Sequence, residues 1–513
     1  MENNRVRTVS GIVRGTWGSD PRVLAFRGIP YAKPPVGELR WQMPQAPDFW
    51  EGDLDCIEYR PMAMQDQPGT DPEEFWTDEI HPTGSEFKRS EDCLYLNVFT
   101  PARSEDEALP VLFYIHGGGY QGGYSYEIEF DWEHTARKGM VVVSVGYRLG
   151  IMGFFAHPGL IDKDGGFGNY GIADLYMALC WVRDNIRAFG GDPGRITIAG
   201  QSAGSGAVQI LMAMQKTRGL IAGAICESGA SLGFGDLAGH ERGREFALKQ
   251  GEEFLEKAGL TLEQAKALPW EELRRLEKEI LGSAFHFTPV TGGNYIPDAV
   301  DEMWLRDRMP RIPILCGYNS DELVLLTRMF HSMPGTLEEL DRFADRYGDK
   351  KEEFLSLCGC VRDEDVDALF DCQAFTGAAG ARRFADAVSA QGRCCYFYEF
   401  MEKVPGKDNA GAYHGAEMWF AYDSLARCHR PFTGVHYDLA RRVSSYWANF
   451  IKTGNPNGTD IFGNPLPQWK PYTPEDPFRL GIRQDMTVSE KMSEKEERIY
   501  EFRNRFADER RKG

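Results

Sequence analysis

The sequence contains no run of about 18 apolar residues, the length that a helix needs to cross a bilayer. The opening residues, MENNRVRTVSGIVRG, also lack the apolar core of at least about 7 residues that follows the basic start of a secretion signal. These two absences predict a cytoplasmic protein without a membrane partner.

Basic residues are too few for a typical nucleic-acid-binding protein. Lys and Arg total 58 against 77 Asp and Glu, so the formal net charge is −19. A chain with this charge repels polyanions. We therefore expect no nucleic-acid partner and interpret the acidity mainly as a solvated surface.

The cysteines lack the regular paired spacing of a disulfide framework. There are 11, an odd number, so reduced thiols are expected, as in the cytoplasm. The close pairs Cys358-Gly-Cys360 and Cys394-Cys395 have no second pair and no histidines at zinc-ligand spacing. We predict neither a metal site nor a cofactor.

What the chain does contain suits a large α/β fold. Of its 513 residues, 42% are hydrophobic. Apolar runs at 111–115, 140–145 and 196–199 are typical of strands buried on both faces, and a helical stretch at 173–189 lies between the last two. This order predicts a mostly parallel central sheet flanked by helices.

No repeat or Gly/Ser linker divides the chain, so residues 1–513 are predicted to form a single catalytic domain. The charged amphipathic stretches around 236–281 and 337–390 are interpreted as helical insertions. Because pockets in such folds lie at the carboxyl ends of the strands, we expect these helices to roof the site.

A nucleophile-elbow pattern, G-x-S-x-G, occurs at residues 200–204 (GQSAG). It follows the apolar run 196–199 and precedes a helix-compatible run at 206–214, the strand-turn-helix order that the motif requires. The flanking glycines avoid collisions in the tight turn. The pattern predicts Ser202 as a nucleophile.

A glycine-rich loop, residues 116–119 (HGGG), directly follows the run 111–115. Such a loop supplies backbone N–H donors to a carbonyl oxygen that becomes negatively charged. The alternative, a phosphate-binding loop, is weak because no Lys-Ser/Thr follows. The loop therefore predicts an oxyanion hole.

A base and an acid should follow the serine in the chain order Ser, acid, His. His414 lies in a small-residue turn after the run 395–400, and we predict it as the base. Asp321 and Glu322 both follow the run 314–316, and either can orient the imidazole. The chemistry alone does not choose between these two neighbours.

Together with their surroundings, these motifs resemble the type-B carboxylesterase family, which includes cholinesterase-like enzymes and bacterial p-nitrobenzyl esterases. The similarity runs nearly from end to end. Its pieces are residues 26–32 (FRGIPYA), 34–40 (PPVGELR), 91–97 (EDCLYLN), 116–119, 147–149 (YRL), 174, 181–185 (WVRDN), 189–193 (FGGDP), 200–204, 321–322, 414–415 and 452–457 (KTGNPN).

The resemblance implies an α/β-hydrolase fold and a serine carboxylesterase that works through an acyl-enzyme without a cofactor. It implies a triad of Ser202, His414 and Glu322, with Glu322 preferred over Asp321. The small-molecule partner would be a carboxylic ester.

The resemblance also implies roles around the triad. The oxyanion-hole donors would be the amides of Gly118, Gly119 and Ala203. Ser228 would support the triad without touching the substrate. An internal ion pair is expected between Arg40 and Glu91.

Two positions depart from the family pattern. Secreted members pair the cysteine that corresponds to Cys93 with one just upstream of a glutamine, but Ala63 and Met64 precede Gln65 here, so this disulfide is not expected. Gln201 replaces the glutamate typical of cholinesterases. This change disfavours choline esters and indicates a general carboxylesterase of bacterial type.

Some questions stay open from the sequence. The same site could cleave amides or thioesters, and a binding protein that has lost catalysis is a further alternative. Neither the natural substrate, the acyl and alcohol specificity nor the oligomeric state is indicated. Candidate pocket residues, each equally compatible with core packing, are Phe75, Trp76, Phe285, Phe287, Met329, Phe330, Trp419 and Phe420.

Overall fold

The structure of the protein, a computed structural model, describes residues 4–66, 87–230, 243–282, 286–322, 334–370, 372–375, 377–489 and 491–510. The strands are β1 (Arg5–Thr8), β2 (Gly11–Arg14), β3 (Thr16–Trp17), β4 (Leu24–Pro30), β5 (Asp53–Asp55), β6 (Tyr95–Thr100), β7 (Leu109–Ile115), β8 (Val141–Val145), β9 (Gly191–Gln201), β10 (Gly223–Glu227), β11 (Ile314–Asn319), β12 (Cys395–Phe400) and β13 (Leu480–Ile482).

Ten of these strands form one sheet in the order β13-β12-β11-β10-β9-β7-β8-β6-β4-β3. Neighbouring strands from β13 to β8 are parallel, whereas β6, β4 and β3 add antiparallel pairs at one edge. A small second sheet has the order β1-β2-β5. The predicted mostly parallel central sheet is therefore confirmed.

Helices connect and cover the strands. The α-helices are Trp132–Ala136, Gly150–Phe154, Tyr170–Asn185, Ala203–Ala213, Arg244–Ala258, Leu262–Ala267, Trp270–Leu281, Val300–Leu305, Leu337–Ala344, Lys351–Cys358, Asp363–Phe370, Gly377–Ala390, Ala416–Ala421, Gly434–Thr453 and Glu494–Arg510. Short 3-10 helices are Gly37–Leu39, Glu105–Glu107, Pro158–Leu160, Ile186–Phe189, Gln215–Thr217, Asp345–Lys350 and Leu425–Arg427.

The sheet has an apolar core on each face. Successive residues of a strand point to opposite faces, so Val141 of β8 belongs to one core and Val142 to the other. Helices Tyr170–Asn185 and Ala203–Ala213 contribute to the first core, and helix Gly434–Thr453 to the second. Burial on both faces explains why β8 is apolar at every position except Ser144.

Helices also occupy the described parts of the two predicted insertions. Those between 337 and 370 share an apolar cluster with the C-terminal helix Glu494–Arg510, through Ile499, Phe502 and Phe506. In the described part of the chain, no helix combines the length and apolarity needed to cross a membrane. The organisation as a single domain stays a prediction.

The carboxyl ends of the central strands carry the residues singled out by the sequence. Ser202 directly follows β9, Ser228 follows β10 and Glu322 comes shortly after β11. The loop 116–119 begins where β7 ends. Parallel pairing of β7, β9, β10 and β11 therefore gathers four distant segments at one edge of the sheet.

Candidate active site

Ser202 occupies a strained turn between β9 and the helix Ala203–Ala213. Its backbone has φ 56° and ψ −123°, a conformation that non-glycine residues rarely adopt. Its N–H donates to the carbonyl oxygen of Glu227 at 2.9 Å. A Cβ at Gly204 would lie 2.2 Å from the carbonyl oxygen of Ile115, and one at Gly200 would lie 2.5 Å from the backbone of Gly204. Both flanking glycines are thus required by close backbone contacts.

The carboxylate of Glu322 is hydrogen-bonded to the imidazole of His414. Oε2 of Glu322 contacts Nδ1 of His414, and Oε1 accepts the N–H of Asn319 at 2.9 Å. Both side chains are largely buried, with exposed fractions of 5% for Glu322 and 11% for His414. The carboxylate is therefore held by a second hydrogen bond in the orientation that meets the imidazole.

Asp321, the rival acid, points elsewhere. Its Oδ2 accepts the N–H of Ala412 at 2.8 Å and the hydroxyl of Ser320 at 3.1 Å. A Cβ at Gly411 would lie 2.8 Å from the Asp321 carboxyl. Asp321 thus holds the loop that leads to His414, while Glu322 contacts the imidazole.

Two opposing effects act on the pKa of His414. Burial lowers it, whereas the charge and hydrogen bond of Glu322 and the charge of Glu417 raise it, and the net result is a raised pKa. The imidazole is therefore a stronger base than an isolated histidine.

The other ring nitrogen of His414 faces Gln201. The side-chain nitrogen of Gln201 lies 3.3 Å from Nε2 of His414. Among the described residues, no hydrogen bond joins the Ser202 hydroxyl to His414. The sequence identified Gln201 only as a departure from the family pattern, and its contact with His414 was not predicted.

The loop 116–119 lies against Ser202. A Cβ at Gly117 would be 3.3 Å from Cβ of Ser202. Gly118 and Gly119 have φ values of 92° and 63°, which favour glycine. In the described part of the chain, the amides of Gly118, Gly119 and Ala203 donate to no protein group. They remain available to a substrate.

A buried polar network adjoins Glu322, whose carboxylate accepts the N–H of Asn319. Ser228 donates its hydroxyl to Oε1 of Glu417 at 3.1 Å, and Asn319 donates its side-chain amide to Oε2 of Glu417 and to the carbonyl of Tyr413. Burial, together with the charge of Glu322, raises the pKa of Glu417 to about 7. The sequence singled out Ser228, but Glu417 and Asn319 were missed.

A second buried carboxyl group, Glu227, lies at the end of β10. It accepts hydrogen bonds of 2.9 Å from the hydroxyl of Tyr422 and from the indole of Trp447. Burial, and then the charge of Glu417, raise the pKa of Glu227 to about 8. Two buried carboxyl groups, those of Glu227 and Glu417, therefore have raised pKa values.

The eight candidate pocket residues fall into two groups. Phe75, Trp76, Phe285, Met329 and Phe330 lie outside the described residues. The three remaining candidates are buried. Phe287 packs against Phe155 and Phe254, and Phe420 against Phe400 and Phe432, while the indole N–H of Trp419 donates to the hydroxyl of Tyr413 at 3.0 Å. Core packing accounts for these three. The expected ion pair between Arg40 and Glu91 is confirmed.

Comparison with known proteins finds the same similarity along nearly the whole chain. The Carboxylesterase family profile matches residues 2–374 and 362–500. Human cocaine esterase is 31% identical over 492 residues, which cover 90% of this chain and 84% of that protein. The para-nitrobenzyl esterase of Bacillus subtilis is 30% identical over 529 residues, covering 98% and 99%. A solved PNB esterase structure superposes with a TM-score of 0.81 at 28% identity and covers 97% of this chain and 99% of the other.

Proposed function

The chain belongs to the carboxylesterase family and is a carboxylic ester hydrolase with the α/β-hydrolase fold, and we propose that it works through an acyl-enzyme on Ser202, with His414 as the general base and Glu322 as the residue that orients it. The observation that carries this proposal is the hydrogen bond between Nδ1 of His414 and Glu322 beside the strained turn of Ser202.

Acylation begins when Nε2 of His414 takes the proton of the Ser202 hydroxyl as Oγ attacks the ester carbonyl carbon. The tetrahedral intermediate collapses, the C–O bond to the alcohol breaks, and the imidazolium gives its proton to the leaving oxygen. Water, deprotonated by His414, then attacks the acyl group and releases the acid. The acyl–Oγ bond breaks and Ser202 recovers its proton from the imidazolium, so each cycle consumes one ester and one water and forms one acid and one alcohol.

Glu322 has two effects on this cycle. Its hydrogen bond keeps the proton of the neutral imidazole on Nδ1, which leaves the lone pair of Nε2 for the serine proton. Its negative charge also stabilises the imidazolium that forms during each proton transfer, in line with the raised pKa of His414.

The amides of Gly118, Gly119 and Ala203 form the proposed oxyanion hole. Support comes from their unpaired N–H groups and from the closeness of the loop to Ser202. Removal of one such donor in serine hydrolases costs about 3–4 kcal/mol of transition-state stabilisation. Ser228 supports the triad from below through its bond to Glu417.

For substrates, we favour uncharged carboxylic esters. Gln201 places no charge beside His414, so nothing at this position attracts a cationic alcohol group. The names of the relatives refer to cocaine and para-nitrobenzyl esters, which are substrates of those proteins. Rates on matched ester, thioester and amide substrates would distinguish ester hydrolysis from the alternative reactions of the same site.

We further propose that the protein is a carboxylesterase of bacterial type and that it is located in the cytoplasm. Support comes from the 11 cysteines, which are all free thiols in the structure. Alkylation of the denatured protein without reductant should modify every cysteine when the protein is isolated from its own cells, and a protected pair would point to an oxidising compartment.

The proposal is tested by hydrolysis of p-nitrophenyl acetate, butyrate and octanoate. Ser202→Ala and Glu322→Gln should each lower kcat by at least about a thousandfold. Asp321→Asn is the matched control, because an amide oxygen can still accept the N–H of Ala412. A parent that is inert on all three esters, or a Ser202→Ala variant that keeps its rate, would refute the mechanism and favour a binding protein or another reaction.

A further inference from the structure

The side-chain amide of Gln65 binds the backbone of Gly123, which follows the glycine-rich loop 116–119. Oε1 of Gln65 accepts the N–H of Gly123 at 2.9 Å, and Nε2 donates to the carbonyl of Gly123 at 3.0 Å. One side chain thus pairs with both backbone groups of one residue, as a neighbouring strand would. Gln65 itself is 4% exposed.

Gly123 is tightly connected to the proposed oxyanion donors. The carbonyl of Gly118 accepts the N–H groups of Gln121 and Gly122 at 2.9 and 3.0 Å. A Cβ at Gly118 would lie 2.2 Å from the carbonyl oxygen of Gly122, and one at Gly123 would lie 2.8 Å from that of Gly117. The turn 117–123 is therefore closely packed upon itself, and a shift at Gly123 would be passed to the amide of Gly118.

Gln65 is in turn anchored to the helix Trp270–Leu281. Arg89 donates to the carbonyl of Gln65 at 2.6 Å and stacks its guanidinium over Trp270 at 5.5 Å. The next residue, Asp66, pairs with Arg274 and with a lysine of the same helix. Gln65 is therefore held in place by contacts that do not involve the loop 116–119.

We propose that Gln65 is a positioning residue that holds the oxyanion-hole loop at the distance and angle needed by the transition state. It touches no reacting atom. This inference rests on the proposed function, because it assigns Gln65 to the same oxyanion hole. Misplacing these donors should weaken binding of the developing oxyanion more than binding of the uncharged ester.

Gln65→Met keeps the length of the side chain and removes both hydrogen bonds to Gly123, together with the bond of 3.2 Å from Nε2 to the carbonyl of Ala63. We expect kcat for p-nitrophenyl butyrate to fall by at least about tenfold, with KM changed by less than about threefold. A trifluoromethyl ketone, which adds the serine oxygen to its carbonyl and becomes an oxyanion, should bind more weakly by the same factor as kcat/KM. Gln264→Met is the matched control, since it also removes a side-chain bond to a backbone N–H, at an exposed helix start.

Gln65→Glu provides a second readout that a general loss of stability would not produce. A protonated carboxyl group can still donate its O–H to the Gly123 carbonyl and accept the Gly123 N–H, and it lacks only the second donor, which the amide directs to the carbonyl of Ala63. The ionised form faces the Gly123 carbonyl with a negative charge. The ratio of variant to parent activity should therefore rise as the pH falls from about 10 to about 5, the range in which a buried glutamic acid titrates. This test decides the matter if Gln65→Met does not fold.

Unchanged kcat and unchanged ketone affinity in Gln65→Met would overturn the role of Gln65, as would a low Gln65→Glu ratio that does not vary with pH. Parent and Ser202→Ala are assayed alongside. An inert parent, or an active Ser202→Ala, refutes the proposed function itself. If the activity of the parent depends on Ser202 and Gln65→Met has the parental kcat and ketone affinity, only the positioning role of Gln65 is refuted.

Discussion

The side-chain nitrogen of Gln201 lies 3.3 Å from Nε2 of His414, the ring nitrogen that has to take the serine proton in the proposed mechanism. Because Glu322 binds Nδ1, the neutral ring presents a lone pair at Nε2, and the amide of Gln201 can donate to it. His414 thus contacts a carboxylate on one side and an uncharged amide on the other.

Replacement of Gln201 by glutamate should raise the pKa of the base. A negative charge beside the ring favours the imidazolium, so we expect the acid limb of the kcat/KM profile to move up by about one pH unit. At low pH the variant should lose activity relative to the parent by up to about tenfold, and the two should converge in alkaline solution.

Gln215→Glu is the control for this change, since it adds the same charge at an exposed position beyond the helix Ala203–Ala213. Its acid limb should coincide with that of the parent. A Gln201→Glu profile with the parental acid limb would show that the amide does not contact the base in solution.

Gly204→Ala should damage both stability and activity. The new Cβ would lie 2.2 Å from the carbonyl oxygen of Ile115 and 2.9 Å from that of His116, so the elbow and the strand end must move apart. Overpacking of this kind costs about 1–3 kcal/mol. Thermal unfolding and kcat for p-nitrophenyl butyrate measure the two effects.

Gly434→Ala is the matched control, because a Cβ there meets nothing within 4 Å and its backbone has no positive φ. Its stability should stay within about 0.5 kcal/mol of the parent. Equal stability and activity of both alanine variants would contradict the close packing of the elbow against β7.

Glu227 should make the protein less stable as the pH rises. Its pKa of about 8 exceeds the ordinary value of 4.5, so the folded state binds this proton more tightly than the unfolded chain. The resulting stabilisation is complete below the ordinary pKa and is lost as the pH rises toward about 8. Acidification through this range therefore strengthens the contribution of Glu227.

Glu227→Gln keeps this side chain uncharged at every pH. One pKa unit corresponds to about 1.4 kcal/mol, so the variant should reduce the fall in the free energy of unfolding between about pH 5 and about pH 8 by more than about 1 kcal/mol. Urea denaturation at both pH values gives the comparison. Glu253→Gln, at an exposed helical position, should leave the parental pH dependence unchanged. A parental pH dependence in Glu227→Gln would mean that Glu227 is ionised throughout.

Much of the fold could be predicted because strands covered on both faces appear as continuous apolar runs. Residues 111–115 were interpreted as a strand buried on both faces and lie within β7 (Leu109–Ile115). By contrast β10 (Gly223–Glu227) was missed, since it is short and includes a glycine and a glutamate whose burial depends on partners far along the chain. Local pattern carries the first kind of information and not the second.

The candidate site also combines residues that a local motif identifies with contacts between residues far apart in the chain. The elbow around Ser202 is a local motif with its own steric logic, so the sequence alone identified it. Asp321 and Glu322 leave the same strand end, and only the turn after β11 decides which one meets the imidazole. The contact between Gln201 and His414 joins residues 213 positions apart, so no local sequence pattern predicts it.

The most direct test of the account asks which atom becomes covalently modified. A p-nitrophenyl alkylphosphonate is attacked at phosphorus as an ester is attacked at its carbonyl carbon, and the adduct resists hydrolysis. We predict release of a single equivalent of p-nitrophenol, complete loss of esterase activity and, by mass spectrometry of peptides, a phosphonyl group on Ser202. Inactivation with the adduct on another residue, or undiminished ester hydrolysis by Ser202→Ala, would contradict the proposed mechanism.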